Sequence, residues 1–543
     1  MRAILTPLFF LAATTLWGQV ELPFTQTPPH IIASAVEAWE ANAAEAVASE
    51  DIAPETSHVM AFAKRGNRNT IESVQRGIWS EPVTWSCNCV PGGDDNVVVN
   101  HEVSFVTDAE ASSVLVSPSG TLIDLNGITL TFDGHFLSSN ALPQMASAHL
   151  VANGIGATQN LGADMALSSL TAALKTSLNV EGVVEVTGNV NIDDATVTVM
   201  EDGQLILSEN EFGRATVMRP NSGALLGLVT RQITLPATPN RDMSFAEQRI
   251  AIGLEGVKVS EFVGDIPTWG FSGADNPVGF ANIGYWSASA DFNYAIIESV
   301  DDVLPVWEGV YLALATADSY TLQFTGTMPS SDLVMTIPDD ATTALFGNAT
   351  NANFDLKGLA NQLGANKVGW DCWNINTLQF DHYIDDLNTN GLNGTLQPNT
   401  TCQYLSSGEN TMTMSVSGNM PNGTEANHVV DLDGKIVFSA QNASGFRDET
   451  VIALRDGASV NFLGSEDAMN TSSLYSACDM YLLDGEGKRS GITQLGFDRE
   501  PLMQFDLMLG ANRPLDGEYV VTVEECEWMN GCAFIVLDDN PTP

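Results

Sequence analysis

Apolar and polar positions alternate with a period near two over most of the chain after Gly77, which is the spacing of half-buried strands. The segment "NVVVNHEVSFV" (96–106) is Val-rich and partly alternating. "SSVLVSPSGTLIDLNGITLTFDG" (112–134) breaks into short strands at Gly, Asn, Asp and Ser-Pro turns. A longer repeat is laid over this alternation. "VLVSPSGTLI" (114–123) aligns without gaps with "VTVMEDGQLI" (197–206), matching Val, Val, Gly, Leu and Ile, and "LNVEGVVEV" (178–186) is a looser version around Gly182. The recurrence V-x-V-x3-G-x-L-I predicts stacked β coils, with the glycine permitting a bend and the aliphatics filling the interior. Residues 76–215 are therefore expected to form a short right-handed β-helix.

Farther on, strands are expected near 229–235, 249–259 and 309–326, within a β-sandwich-like middle region (216–427). Trp269, Trp286, Trp307, Trp370 and Trp373 accumulate there among Gly, Asn and Pro. Such aromatics either stack on sugar rings or plug the ends of a sandwich core, and plugging is the commoner use. In 428–543, "HVVDLDGKIVFSA", "ETVIALRD", "MQFDLML", "EYVVTVEE" and "CAFIVLD" have the alternation and turn spacing of a C-terminal antiparallel sandwich. The expected class is all-β, a solenoid followed by antiparallel β-sandwich domains.

The first 75 residues differ. Arg2 followed by the apolar stretch Ile4–Leu16, then Gly18 and Gln19, reads as a secretory signal over 1–19, too short to span a bilayer. Residues 20–75, Ala/Glu-rich at 31–50 and basic at 64–69, read as a weakly ordered spacer with room for one short helix. No later apolar run is long enough to cross a membrane, so an exported protein without a transmembrane segment is expected.

The chain has 543 residues and a formal charge of -46, from 21 Lys+Arg against 67 Asp+Glu. A surface this acidic repels phosphate backbones and argues against nucleic-acid partners. It attracts divalent cations, and calcium is the candidate cofactor because acidic turns abound: Asp94-Asp95, Asp193-Asp194, Asp385-Asp386, and Asp431 with Asp433. None completes an EF-hand loop; Asp94 and Asp95 are the candidate metal ligands. The seven cysteines fit an oxidising compartment. Cys526 and Cys532 flank a tight Asn-Gly reversal and form a local disulfide candidate, and Cys372 with Cys402 is another. Cys87 and Cys89 are open to several readings. A structural disulfide leads, bonded across one residue or to distant partners; a metal site lacks two further ligands, and a redox centre lacks a C-x-x-C at a helix start. None of the seven histidines lies in an H-E-x-x-H, and neither a G-x-S-x-G elbow nor a phosphate-binding G-x4-G-K-[ST] occurs. Each histidine reads as a turn or surface residue. The six N-x-[ST] sites, at Asn348, Asn393, Asn399, Asn422, Asn442 and Asn470, read as Asn/Thr-rich turns.

Trp79, Pro82, Thr84 and Trp85, then Val90-Pro91, then Asp95, Val97 and Val99 make up W-x2-P-x-T-W…V-P-x3-D-x-V-x-V. Asp108, Leu115, Val116, Gly120 and Leu122 continue it. This pattern resembles a glycine-rich extracellular β domain at the start of many bacterial surface proteins. "PVWEGVYLAL…YTLQFTGTM" (305–328), "DETVIALRDGAS" (448–459) and "DGEYVVTVEECEWMNGCAFIVLDDNPT" (516–542) are similar to segments of large secreted Bacteroidetes proteins of type IX secretion layout. Two departures stand out: "LGANKVGWDCW" (363–373) replaces the usual Gly-Asn-Pro-Tyr-Pro segment, and no C-terminal sorting domain follows before Pro543. The resemblance implies an exported multidomain surface protein and implies no catalytic activity. The expected function is structural or adhesive, at the cell surface or outside the cell, with surface glycans or matrix components as partners. A carbohydrate-binding or polysaccharide-degrading protein is the alternative.

Overall fold

The computed structural model describes residues 69–210, 213–237, 245–287 and most positions from 290 to 527. The signal segment 1–19, the spacer up to Arg68, and the C-terminal "CAFIVLD" lie outside the described residues.

The predicted coils are present as a parallel β-solenoid of about 7 turns with three faces. The first face is an eight-stranded parallel sheet: Thr70–Glu72, Asn96–Val99, Ser113–Val116, Phe136–Ser138, Thr158–Gly162, Ser177–Val180, Thr196–Val199 and Ala224–Leu226. The second begins with Gly77–Ile78, Glu102–Phe105 and Thr121–Asp124. The third begins with Ala109–Ala111, Thr129–Phe132 and His149–Ala152. Later coils merge faces two and three. Strands Met165–Ala172 and Val183–Ile192 each run along both, with a register slip between Leu167 and Ser169 marking the corner.

In-register parallel stacking puts like positions on top of one another, so the period-two alternation becomes continuous interior ladders. On the first face Ile71, Val97, Val114, Phe136, Leu161, Val180 and Val199 form one such column, all buried. On the third face Phe132 lies between Ala111 and Ala152, so one large side chain fills the space that two small ones leave. Each fully buried Val, Leu or Phe contributes about 1.5–3 kcal/mol relative to exposure.

The repeat in the sequence corresponds to one corner of the coil. Val114 and Val197 lie on face one, Leu122 and Leu205 on face two, and Gly120 and Gly203 turn between them. Both glycines rest on the backbone of the coil before. A Cβ on Gly120 would stand 1.9 Å from the Val99 carbonyl oxygen, and one on Gly203 would stand 2.1 Å from that of Val180. Gly203→Ala is therefore expected to cost about 1–3 kcal/mol by overpacking, read as a lower denaturation midpoint. Gly92→Ala, where only the Asp95 carboxylate comes within 4 Å, should leave the midpoint unchanged.

The solenoid starts and ends outside the expected boundaries. Thr70–Glu72, within the expected spacer, pairs with Asn96–Val98 as the first strand. The strand expected near 229–235 as part of a sandwich is Leu228–Leu235, which stacks on Gln204–Leu207 as the last coil. Tyr320–Thr327 then pairs antiparallel with all of Leu228–Leu235. The four-stranded antiparallel sheet of Phe245–Ile250, Val310–Ala315, Ile283–Trp286 and Tyr294–Ile296 follows. Its apolar residues continue the solenoid core, which runs unbroken from Ile71 to Met328. The strand expected over 249–259 ends at Ile250, and a 3-10 turn at Val259–Phe262 comes after.

A second core lies beneath Ala344–Gly347, Thr401–Tyr404, Trp370–Asn374, Gln379–Ile384 and Leu387–Asn388, joined by helix Leu356–Gln362 and the pair Leu333–Ile337 with Asn410–Met414. The C-terminal sheet has the order Asp506–Gly510, Asp479–Leu483, Arg489–Leu495, Arg447–Leu454, Gly434–Asn442, Tyr519–Glu527. It is antiparallel as expected, except that Arg447–Leu454 and Arg489–Leu495 run parallel. Ile384 and Leu387 of the preceding sheet pack with Val437, Val451 and Ile492 of this one.

Candidate functional site

The segment from Gly77 to Asn100 contained the first candidates. Trp79 and Trp85 are buried at the start of the solenoid. Their rings meet edge to face at 4.9 Å, Trp79 stacks on Phe105, and Trp85 Nε1 donates to the Trp79 carbonyl at 2.7 Å. Thr84 is buried and donates to the Ile78 carbonyl. Cys87 and Cys89 are bonded to each other on an exposed loop, with Asn88 between them at φ 54. Asp95 accepts from the Gly92 amide at 2.9 Å and so closes a turn, while Asp94 points outward exposed. Among the described residues no three His, Cys, Asp or Glu side chains converge as a metal group. Among the described residues Asp94 and Asp95 have no third protein ligand beside them. Asp385, Asp386, Asp431 and Asp433 lie outside the described residues.

Cys372 and Cys402 are bonded across neighbouring antiparallel strands and are buried. Cys526 is also disulfide-bonded, and its candidate partner Cys532 lies outside the described residues. Of the tryptophans, Trp286, Trp370 and Trp373 are buried in cores, and Trp269 and Trp307 are half-buried. Trp373 and Phe380 form, with Tyr311, an aromatic enclosure filled by the protein's own Arg249 guanidinium, 4.7–5.2 Å from the three rings.

One constellation was missed in the sequence. Strand pairing sets Asp371 opposite His382, and His382 Nδ1 lies 2.8 Å from Asp371 Oδ1, with both side chains only 2% exposed. This corrects the reading of every histidine as a turn or surface residue. Burial opposes the charged ring, but Asp371, Asp448 and Asp381 outweigh it and raise the His382 pKa to about 9. Asp381 is pushed up to about 6 by burial, against hydrogen bonds from Asn374 and Asn390. Asn390 also donates to Asp448 and, through its backbone, to Glu449. An imidazole held by a carboxylate is the geometry of a general base. Here the ring lies flat against Gly491, where a Cβ would meet Cδ2 at 2.2 Å. The pair lies within one sheet, and the C-terminal sheet covers it through Gly491 and through the Asn390 contacts to Asp448 and Glu449.

A second polar seam joins the solenoid to the sheet that follows. Arg214 donates to the Pro398 carbonyl, Arg219 to those of Pro329 and Val416, and Arg231 to the Ala215 carbonyl and Asn351 Oδ1. Arg219 and Arg231 are buried, and the Arg214 side chain is 6% exposed. Burial, reinforced by the nearby Arg214 charge and partly offset by Glu209, lowers the Arg231 pKa to about 9. Asn348 and Asn399 are buried in the same seam, and Asn470 is buried in the C-terminal unit. These three N-x-[ST] asparagines are structural turn residues, each spending its amide on backbone carbonyls. Among the described residues no helix is long and apolar enough to cross a membrane.

Comparison with family models, with curated proteins and with solved structures finds no match.

Proposed function

We propose that this chain is an exported structural or adhesive protein of the cell surface or extracellular space, without catalytic turnover. The observation that carries this reading is the pair of disulfides, Cys87–Cys89 on an exposed loop and Cys372–Cys402 in a core. Bonds of this kind persist in oxidising compartments. The resemblance to surface-protein domains supports it from another side, because several of the pattern residues have a task in the fold. Trp79 and Trp85 close the core, Asp95 closes a turn, Asp108 accepts from the Thr129 amide, and Gly120 fits against Val99. Among the described residues the acid–base pair Asp371–His382 is buried, both side chains only 2% exposed.

The test is fractionation of the producing cells combined with non-reducing peptide mapping. Recovery outside the cytoplasm with Cys87–Cys89 and Cys372–Cys402 intact supports the reading. Recovery in the cytoplasm with both pairs as free thiols sinks it.

A carbohydrate-binding reading has its own observation. Phe280 is 91% exposed, and its backbone lies against Gly270, next to the half-buried Trp269. An exposed aromatic ring with a second aromatic residue on the adjoining loop is the kind of platform that stacks on a sugar ring. On a glycan array, Phe280→Ala should abolish any binding at this platform while leaving the denaturation midpoint unchanged, since the ring buries almost nothing. Glycan binding unaffected by Phe280→Ala and Trp269→Ala removes the platform from consideration, and reproducible cleavage of a polysaccharide overturns the non-catalytic reading.

A further inference from the structure

We infer that the Cys87–Cys89 bridge is a thiol–disulfide exchange site, able to take two electrons from exposed cysteine thiols of a peptide or protein. This goes beyond the structural reading above and does not depend on it.

The loop does not need the bridge to hold its shape. The Glu72 amide donates to Ser86 Oγ at 3.0 Å, the Ser86 amide to the Glu72 carbonyl at 2.8 Å, and the Asn88 amide to the Trp85 carbonyl at 3.0 Å. Trp85 beneath it is buried. A disulfide restrains the unfolded chain least when the loop it closes is shortest, and this one encloses a single residue. Its contribution to stability is therefore among the smallest a disulfide makes. Both cysteines are exposed, whereas Cys372 and Cys402 are buried. Exposed disulfides are the ones open to attack by an external thiolate.

The two sulfurs are not equivalent. The Cys89 amide N–H donates to Cys87 Sγ at 3.2 Å. A donor aimed at one sulfur stabilises negative charge there, which makes Cys87 the better leaving group. The same sulfur lies 3.4 Å from the Cys89 carbonyl oxygen, which accepts the S–H once the reduced form is protonated. The reaction then runs in two steps. A donor thiolate attacks Cys89 Sγ, the Cys87–Cys89 bond breaks, and Cys87 leaves as a thiolate. A second thiolate of the donor attacks its own sulfur in the mixed disulfide, and Cys89 leaves as a thiolate. The donor dithiol is oxidised to a disulfide, the bridge is reduced to two thiols, and the exchange is stoichiometric. The charge of -46 favours cationic donors.

The test uses the oxidised full-length protein and two reduced dithiol peptides, one flanked by lysines and one by glutamates, followed by acid quenching, alkylation and mapping. The expected result is one peptide disulfide formed per protein, Cys87 and Cys89 newly alkylated, and Cys372 and Cys402 still blocked. The lysine peptide should react at least ~10-fold faster at low salt, with the advantage shrinking as salt is raised. The reduced protein should melt within ~2 °C of the oxidised one. A monothiol peptide trapped during exchange should be found on Cys89. The inference is overturned if neither peptide is oxidised while oxidised glutathione oxidises both. It also fails if the trapped peptide sits on Cys87, or if reduction of this bridge alone lowers the melting temperature by many degrees.

Discussion

Replacing His382 with glutamine is expected to lower the unfolding free energy by about 3–5 kcal/mol, the cost of leaving one member of a buried ion pair without its partner. Asp371 would remain enclosed at 2% exposure, opposite a neutral side chain, with Asp381 and Asp448 still nearby. The double variant His382→Gln/Asp371→Asn should recover part of the loss, because two neutral amides can hydrogen-bond where one carboxylate cannot stand alone. Hydrogen exchange is the suitable measurement in a chain with several cores, since it reads the opening of the strands Trp370–Asn374 and Gln379–Ile384 directly.

The same pair gives a pH dependence with a defined sign. The folded-state pKa of His382 is raised from 6.5 to about 9. Its stabilisation is therefore fully present below about 6.5 and is lost as pH rises through about 9. Asp381 is raised from 3.8 to about 6, so its contribution is fully present below about 3.8 and is lost as pH rises through about 6. Protection of these strands should fall in two stages, between pH 4 and 6 and again between pH 7 and 9. In His382→Gln only the lower stage should remain. An upper stage that persists in that variant would assign it to another group.

The second large effect is expected at the start of the solenoid. Trp85→Ala should cost about 3–5 kcal/mol, the range for removing a buried large aromatic from a core. The ring is 2% exposed, packs on Trp79 and donates to the Trp79 carbonyl, so its loss opens a cavity beside the Trp79 ring and leaves that carbonyl without its donor. Trp85→Phe keeps the ring contact and loses the hydrogen bond, and should cost about 1–2 kcal/mol. Denaturation midpoints of the two variants check the order, and increased binding of an apolar dye by Trp85→Ala would report the exposed end.

The solenoid was legible because one corner repeats chemically. Gly120, Gly182 and Gly203 each meet the backbone of the coil before, and only glycine fits there, so the residue recurs at that offset. The third face left no such signature. Its later strands are the second halves of Met165–Ala172 and Val183–Ile192, where a bulge within a continuous strand marks the corner. The glycine there, Gly188 against the Ser168 carbonyl, has Ser168 and not glycine as its counterpart in the coil before. The start at Thr70 was hidden because a three-residue strand beside a basic segment has too few positions to alternate. The Asp371–His382 pair was invisible for a different reason. Gln379–Ile384 is buried at all six positions and Trp370–Asn374 at four of five, so the in–out period that would locate the facing residues is absent. Their partnership is a matter of register between strands, which spacing along the chain does not encode. The cysteine pairs at 87/89 and 372/402 were named as candidates, but the direction of the Cys89 amide toward the Cys87 sulfur belongs to the folded loop.

The strand Tyr320–Thr327 has a consequence for assembly. The last coil of a parallel solenoid carries a row of open backbone donors and acceptors, ready to template another coil from a neighbouring molecule, and such ends polymerise. Here that row is taken by a strand of the same chain that runs in the opposite direction, along all of Leu228–Leu235. On that face a following parallel strand has nothing to add to. At the other end, Trp79 and Trp85 lie across the opening of the core. On the face of Leu228–Leu235 the stack of coils is closed by the chain itself, so a neighbouring molecule cannot extend it there strand upon strand.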